Sequence, residues 1–112
     1  MVRVVYLAHP LSGDVIGNLA SAKRWVRWVE TAYPDFAVVA SWIVECEIWD
    51  DSDPEHRAAG LARDLAVIER CESLVLVGGR VSEGMAAEQR WAMSRGIPVL
   101  DLTHLGAEPP SA

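Results

Sequence analysis

The chain has 112 residues, of which 51% are hydrophobic and 23% are charged, as is typical of one globular domain. Ten basic and 16 acidic residues give a net charge of −6, which argues against binding to nucleic-acid polymers or anionic membranes. No apolar run approaches the roughly 20 residues of a membrane span, and no signal-peptide pattern precedes the first strand. Cys46 and Cys71 lack paired spacing, as expected of reduced thiols. We therefore expect a cytoplasmic protein.

The first predicted elements are a strand and a long helix. Val2–Ala8 is short and rich in β-branched residues, which predicts a buried strand. Residues 9–14 have the composition of a turn, and Asp14 is a candidate helix cap. Apolar residues then recur at steps of three and four up to Pro34, as on the buried face of a helix: Val15, Leu19, Ala22, Val26, Val29 and Tyr33.

A second strand and a second helix are predicted next. Phe36–Ile43 is a mostly apolar run that predicts a strand. Val44–Pro54 predicts a loop that leads into a helix with proline in its first turn. The expected buried face of that helix consists of Ala58, Leu61, Leu65 and Ile68.

The last predicted elements repeat this order. Ser73–Gly79 predicts a strand that ends in glycines, Ser82–Arg95 predicts a helix closed by Gly96, and Ile97–Leu102 predicts a fourth strand. Strands that alternate with helices in this way predict an α/β fold. We expect a flavodoxin-like or Rossmann-like parallel sheet of four to five strands with helices on both faces.

The expected ligand site lies at one edge of this sheet, because such sheets bind ligands at the carboxyl ends of their strands. Four loops belong to that edge: residues 8–14, 41–55, 78–84 and 101–105. The single domain is expected to span residues 1–105 and to be followed by a flexible tail, residues 106–112.

The loop after the third strand has the chemistry of an anion site. Gly78 and Gly79 precede Ser82, Glu83 and Gly84, where the first backbone amides of the next helix have no partner within it. Together with the serine hydroxyl and the positive end of the helix, these amides suit a phosphate. A serine-capped helix after a glycine-rich turn explains the same residues, and Glu83 argues against an anion unless it points to solvent.

Two carboxylates lie on apolar helical faces. Glu88 is three residues after Met85 and four before Ala92, and Asp64 has the same relation to two apolar residues of its own helix. Burying a carboxylate is costly unless it is paired or functional. Two half-buried carboxylates beside one crevice suit glycosidic chemistry, in which one attacks the anomeric carbon and another group handles the leaving-group proton.

An alternative is that both carboxylates belong to structural ion pairs. Asp64 has Arg57 and Arg63 on the same helix, and Glu88 has Arg95 near the end of its helix. The sequence alone does not choose between an ion pair and a catalytic role for either residue.

Metal and dinucleotide motifs are absent from the sequence. His9, His56 and His104 are scattered, and no HExxH or paired-cysteine spacing exists. Neither GxGxxG nor GxxxxGK[ST] occurs. We therefore expect no metal and no cofactor.

Five tryptophans are many for a chain of this length. Trp42 and Trp49 bracket the loop after the second predicted strand, where a nucleobase could stack on them, although core packing explains each one as well. Trp25 and Trp28 flank the apolar face of the first helix. They predict an exposed apolar surface and hence a homodimer or larger homo-oligomer.

Three patches of the sequence carry a resemblance to a known family. They are Tyr6 with the loop that follows it, Asp64-Leu65 followed by Cys71-Glu72, and Ser82-x-Gly84-x-x-x-Glu88 followed by Gly96-x-Pro98. With these patches, residues 2–102 resemble the nucleoside 2-deoxyribosyltransferase superfamily, which includes the nucleoside 5′-monophosphate N-glycosidases.

The resemblance implies a role for each matched catalytic residue. Glu88 matches the nucleophile that attacks C1′ and forms a glycosyl ester, and Tyr6 matches the tyrosine that orients it. Asp64 matches the aspartate that helps to protonate the departing base. The resemblance also implies a homo-oligomer and requires no cofactor.

The resemblance further implies a phosphate-binding region. Ser82, with Gly84 beside it, and the loop that contains His9, Ser12 and Gly13 match the phosphate-binding segments of members that act on 5′-monophosphates. His9-Pro10 stands where that loop commonly has small residues, which is a departure from the family pattern.

The resemblance and the residue chemistry predict the same function. We expect cleavage or exchange of the N-glycosidic bond of a nucleoside 5′-monophosphate or nucleoside, through a covalent glycosyl-Glu88 intermediate. The alternative is a non-catalytic module that binds or senses a nucleotide on the same fold. Convergence of Glu88, Asp64 and Tyr6 on one pocket favours the enzyme. The base, the sugar, and the choice between hydrolysis and transfer stay open.

Overall fold

The computed structural model describes residues 1–50 and 52–111 as a four-stranded sheet flanked by four helices. In chain order its elements are β1 (Arg3–Ala8), α1 (Val15–Ala32), β2 (Phe36–Val39), α2 (Ser41–Ile48), α3 (Pro54–Ile68), β3 (Ser73–Leu76), α4 (Glu83–Ser94) and β4 (Val99–Asp101), followed by a 3-10 turn at Thr103–Leu105. The strands are parallel and lie in the order β2-β1-β3-β4. The predicted flavodoxin-like or Rossmann-like α/β fold is therefore confirmed, with four strands.

The strand order explains where a ligand can bind. β1 pairs with β2 on one side and with β3 on the other. The connection from β1 to β2 crosses the sheet in the opposite direction to the connection from β2 to β3, so right-handed crossovers place α1 on one face and α3 and α4 on the other. The chain order reverses between β1 and β3, and ligands of open α/β sheets bind at the carboxyl ends of the strands at such a point.

The core consists of the two central strands and the inner faces of the helices. The fully buried strand residues are Val5, Tyr6, Leu7, Leu74, Val75 and Leu76. Asp14 caps α1 as predicted, because its side chain accepts a hydrogen bond from the Gly17 amide at 3.0 Å. None of the helices within the described residues is long and apolar enough to cross a membrane.

The segment after β2 differs from the prediction. β2 ends at Val39, and α2 occupies the remainder of the predicted strand and the first part of the predicted loop. In a short and mostly apolar run, a buried strand and a buried turn of helix have the same pattern, which explains the error. A helical spacing was present in three residues on one face of α2 and in the residue that follows the helix: Trp42, Glu45, Cys46 and Trp49. Asp51 of the predicted loop and Ala112 of the predicted tail lie outside the described residues.

The predicted buried face of α3 is buried at one end only. Ile68 is fully buried and Leu65 is half-buried, whereas Ala58 is exposed and Leu61 keeps 39% of its surface exposed. The N-terminal half of α3, including Leu61, lines an open cavity instead of the core.

The two tryptophans of α1 do not form the exposed apolar surface that the sequence predicted. Trp25 is fully buried, and its indole Nε1 donates a hydrogen bond to the Ala107 carbonyl at 3.0 Å. Trp28 packs edge-on against Trp25, with 5.6 Å between the ring centroids. Since this pair is packed within one chain, it gives no support to a homo-oligomer, which stays a prediction. The same contact holds residue 107 of the expected flexible tail against α1, where Glu108 also pairs with Arg24 at 2.7 Å.

Candidate active site

A cavity of about 510 Å³ opens where β1 ends, among α2, α3 and the first half of α4. Ala8 and His9 contribute the strand end, Trp42 and Glu45 contribute α2, and Asp64 contributes α3. The wall from α4 includes Ser82, Gly84, Met85 and Glu88. The cavity therefore lies at the carboxyl edge of the sheet, as the fold predicts.

Glu88 lies on the buried face of α4. It is 8% exposed, between Met85 and Ala92, which are almost completely buried, so its predicted burial is confirmed. Burial raises the pKa of Glu88 to about 7, and the nearby Tyr6 hydroxyl partly offsets this rise. A carboxyl with this pKa is present in both protonation states at neutral pH.

The alternative ion pair of Glu88 is not formed. The Arg95 side chain instead donates to Glu69 Oε1 at 2.7 Å and lies over the ring of Trp91. Arg95, the predicted ion-pair partner of Glu88, is thus held by Glu69 and Trp91 at the C-terminal ends of α3 and α4.

Asp64 is half-buried in the α3 wall of the cavity. Its Oδ1 atom is shielded from solvent and has no hydrogen-bond partner. Burial raises the pKa of Asp64 far above its usual range, and the negative charges of Glu88 and Glu45 raise it further, while the Tyr6 hydroxyl offsets a small part of this rise. Arg63, one of its proposed partners, lies over the Trp49 ring, 5.8 Å from the ring centroid.

Tyr6 lies in the middle of β1, beneath both carboxyls. Its side chain is fully buried, and the phenol oxygen has no hydrogen bond of standard geometry, although Glu88 and Asp64 both act on it electrostatically. Burial first, and then these two carboxyls, raise the pKa of Tyr6 above any physiological pH. The phenol therefore stays protonated and can donate to whichever carboxyl is ionised.

Four of the five predicted phosphate-binding residues line the cavity. Ser82, Gly84, His9 and Ser12 line the cavity, whereas the exposed Gly13 is not part of its wall. Ser82 caps α4, since its Oγ accepts a hydrogen bond from the Met85 amide at 3.2 Å. Because capping uses the hydroxyl as an acceptor, its O–H group remains able to donate to a ligand.

His9 is a buried residue of the cavity wall and is fixed from both sides of its ring. Its Nδ1 contacts the Pro10 carbonyl, and its Nε2 lies 3.1 Å from Ser21 Oγ. Burial lowers the pKa of His9, which favours the neutral ring. Gly78, with φ of +104°, packs directly on this loop, because a Cβ there would lie 2.6 Å from Pro10 Cδ. The two loops predicted to bind phosphate are therefore in contact.

The two candidate stacking residues have different environments. Trp42 is buried, and its Nε1 donates a hydrogen bond to the Leu7 carbonyl at 2.8 Å, which fixes α2 to β1. Trp49 is 46% exposed, and its ring centroid lies 5.0 Å from that of His56. Trp49 is therefore the more exposed of the two, with His56 and Arg63 against its ring, whereas Trp42 presents only part of its surface to the cavity.

Several residues of the wall were not assigned to the site by the sequence analysis: Glu45, Cys46, His56, Arg57 and Arg90. Glu45 and Cys46 were missed because α2 was not recognised. Arg57 was considered only as an ion-pair partner of Asp64, although its position two helical turns before Asp64 places it on the same face and hence at the same site. Among the described residues, no group of three or more histidine, cysteine, aspartate or glutamate side chains is arranged to hold a metal ion.

The chain matches one protein family over most of its length. Residues 3–102 match the family described as Domain of unknown function (DUF7768). The chain belongs to this family. A curated protein of Syntrophotalea carbinolica, named Putative 2′-deoxynucleoside 5′-phosphate N-hydrolase 1, is 39% identical to this DUF7768 chain over 64 residues. That match covers 57% of the chain and 45% of the relative.

A solved structure shares the fold of this DUF7768 chain. It is the crystal structure of a conserved protein from Enterococcus faecalis V583, with a TM-score of 0.61 and 21% sequence identity. The superposition covers 90% of this chain and 63% of that protein. The chain thus spans less than two thirds of either similar protein, and the structural likeness concerns the fold alone.

Proposed function

We propose that this DUF7768 protein cleaves the N-glycosidic bond of a nucleoside 5′-monophosphate. The observation that carries the proposal is the placement of Glu88 and Asp64 in the wall of one cavity, with Tyr6 buried next to both and with both carboxyl pKa values raised by burial. Perturbed carboxyls in an open cavity at the carboxyl edge of the sheet are typical of an active site. The name of the Syntrophotalea carbinolica relative, a hydrolase of 2′-deoxynucleoside 5′-phosphates, supports this substrate class.

In the first step, ionised Glu88 attacks C1′ of the sugar. The bond from its carboxylate oxygen to C1′ forms as the bond from C1′ to the base nitrogen breaks, and the electron pair of that bond stays on the base. Asp64 donates its proton to the departing base, which leaves as a neutral molecule. Tyr6 orients Glu88 by donating a hydrogen bond to its carboxylate.

In the second step, water resolves the glycosyl ester. Its oxygen attacks C1′, the ester bond to Glu88 breaks, and the Asp64 carboxylate accepts the proton that water loses. The products are the free base and a sugar phosphate, and both carboxyls return to their starting states. A second base in place of water would give transfer instead of hydrolysis.

The phosphate is assigned to the N-terminus of α4. Ser82 retains a free O–H group for donation, and the first amides of the helix provide further donors and a positive end. The same region includes Glu83, which is exposed in the first turn but also lines the cavity, so its charge opposes a phosphate there and solvent screening reduces this repulsion.

A panel of nucleoside and 2′-deoxynucleoside 5′-monophosphates, with the matching nucleosides, tests the proposal by chromatography of released base. We expect base release by the wild type and a loss of about a thousandfold or more in Glu88→Gln, equivalent to about 4 kcal/mol of barrier. Circular dichroism verifies that the variant is folded. Unchanged turnover in a folded Glu88→Gln protein would contradict the nucleophile, and nucleotide binding without base release would indicate a non-catalytic binding module.

A further inference from the structure

We propose that Glu45 is a positioning residue for the proton of Asp64: the two carboxyls share one proton, which Glu45 holds on Asp64 beside the leaving base. The catalytic part of this inference rests on the proposed function, whereas the shared proton does not. Glu45 lies on α2, a helix that the sequence analysis missed, and has no role in the two steps described above.

The packing of α2 on α3 brings the two carboxyls together. Glu45 lies in the cavity wall next to Trp42, whose hydrogen bond to Leu7 fixes the position of α2. Its side chain is within hydrogen-bonding reach of Asp64. A carboxylate has only acceptor atoms, so two carboxyls can bond to each other only if one of them carries a proton.

The shielding of Asp64 decides which of the two carries it. Asp64 Oδ1 is closed to solvent and receives no hydrogen bond, so an ionised Asp64 would leave charge on a buried and unsatisfied atom. A protonated Asp64 has an O–H group that donates to Glu45 and carries no net charge. Asp64 is therefore the donor of the pair and Glu45 the acceptor.

The surrounding charges favour this arrangement. The titratable and charged groups that face Asp64 come from all sides of the cavity: Tyr6 of β1, Glu45 of α2, Glu88 of α4, His56 and Arg57 of its own helix, and His9, Glu83 and Arg90 across the cavity. The groups that interact most strongly with Asp64 are Glu88 and Glu45, and both oppose its ionisation, whereas the Tyr6 hydroxyl favours it more weakly. Substrate binding that excludes water from the cavity would strengthen this effect.

The consequence for the reaction is a proton that is available where the base departs. When Asp64 gives its proton to the base, it becomes a carboxylate beside the Glu45 carboxylate, and this repulsion favours recapture of a proton from the attacking water. Glu45 touches neither the sugar carbon nor the bond that breaks, and it acts only through Asp64.

The test compares Glu45→Gln with Glu47→Gln. Both substitutions remove one charge from α2, but Glu47 is exposed and pairs with Lys23 at 3.2 Å, away from the cavity. The Asp64 carboxyl is titrated by carbon-13 NMR without substrate, and its signal is assigned by its loss in Asp64→Asn. We expect the Asp64 midpoint to fall by about one pH unit or more in Glu45→Gln and to stay unchanged in Glu47→Gln. In Glu45→Asp, which keeps the charge, the midpoint should stay raised.

The pH profile of base release gives the second readout. In Glu45→Gln the alkaline limb should move to lower pH by the same amount, with kcat reduced about fivefold or more at pH 8 and KM little changed. An Asp64 midpoint that is equal in wild type and Glu45→Gln would overturn the shared proton. A shifted midpoint with an unshifted alkaline limb would overturn the positioning role. A wild type that releases no base would overturn the proposed function, while the NMR titration would still decide the shared proton.

Discussion

Replacing Glu88 by glutamine should stabilise the protein at alkaline pH while it removes activity. The folded protein binds the Glu88 proton up to a pH of about 7, against an ordinary glutamate value of 4.5. This difference corresponds to roughly 3 kcal/mol, because each pH unit between the two values is worth about 1.4 kcal/mol. The side chain is almost fully buried, so solvent screening does not reduce this figure greatly.

The sign of the effect follows from the two ionisations. Below pH 4 Glu88 is protonated in both the folded and the unfolded chain, and its burial adds no electrostatic cost. Between pH 4.5 and 7 the unfolded chain ionises while the folded one does not, so the free energy of unfolding falls as the pH rises. Above pH 7 the full cost is present. The isosteric Glu88→Gln variant never ionises and avoids it.

Urea unfolding at pH 4 and pH 8, followed by tryptophan fluorescence, measures this difference. We expect Glu88→Gln and wild type to agree at pH 4, and the variant to be more stable by up to about 3 kcal/mol at pH 8. Glu47→Gln is the matched control, because its exposed ion pair with Lys23 should change stability by less than about 1 kcal/mol at either pH. Equal stability of wild type and Glu88→Gln at pH 8 would refute the inference that Glu88 is ionised at a cost in the folded state.

Three further outcomes are expected. Wild type should prefer a 5′-monophosphate over its nucleoside by about tenfold or more in kcat/KM. Ser82→Asp should erase this preference, because the aspartate charge repels a phosphate. Equal use of both substrates by wild type would mean that Ser82 is only a helix cap. Gly78→Ala should lower the free energy of unfolding by about 1–3 kcal/mol, because Gly78 has a positive φ and contacts the β1–α1 loop. Gly60→Ala, at a position on α3 with open space around it, should not lower the free energy of unfolding. Urea titration of both variants measures the difference. The pH profile of kcat/KM should rise as Glu88 ionises near pH 7 and fall as Asp64 loses its proton, and a profile without an acid limb would contradict the assignment of Glu88.

The sequence predicted elements that have a clear period and clear ends. α4 is the best example, since its Ser82 cap, its buried stripe and Gly96 after its last turn, at φ of +70°, were all visible as patterns. α2 was missed because its residues are apolar on several sides and no side-chain cap marks its start. The helical spacing in this segment was too short to distinguish a helix from a strand in a mostly apolar run.

The site was predictable to the extent that topology determined it. Glu88 stood out as a carboxylate on an apolar face, and the strand order brings it above Tyr6 at the centre of the sheet. Trp42 and Trp25 are buried and each donates one hydrogen bond to a carbonyl distant in the sequence, and no local pattern reveals such a contact. Glu45 became visible as a neighbour of Asp64 only once α2 was a helix.

The central position of β1 ties the formation of the cavity to the formation of the fold. Tyr6 pairs in register with Val39 on one side and with Leu74 on the other. The hydrogen bonding of β1 is therefore complete only when two segments that are distant in the sequence have paired with it. Contacts of this range form late and slowly in folding. The floor of the cavity and the centre of the core then appear in one cooperative event. The β1 amides should exchange with solvent only through global unfolding, and a ligand in the cavity should slow that exchange throughout the sheet.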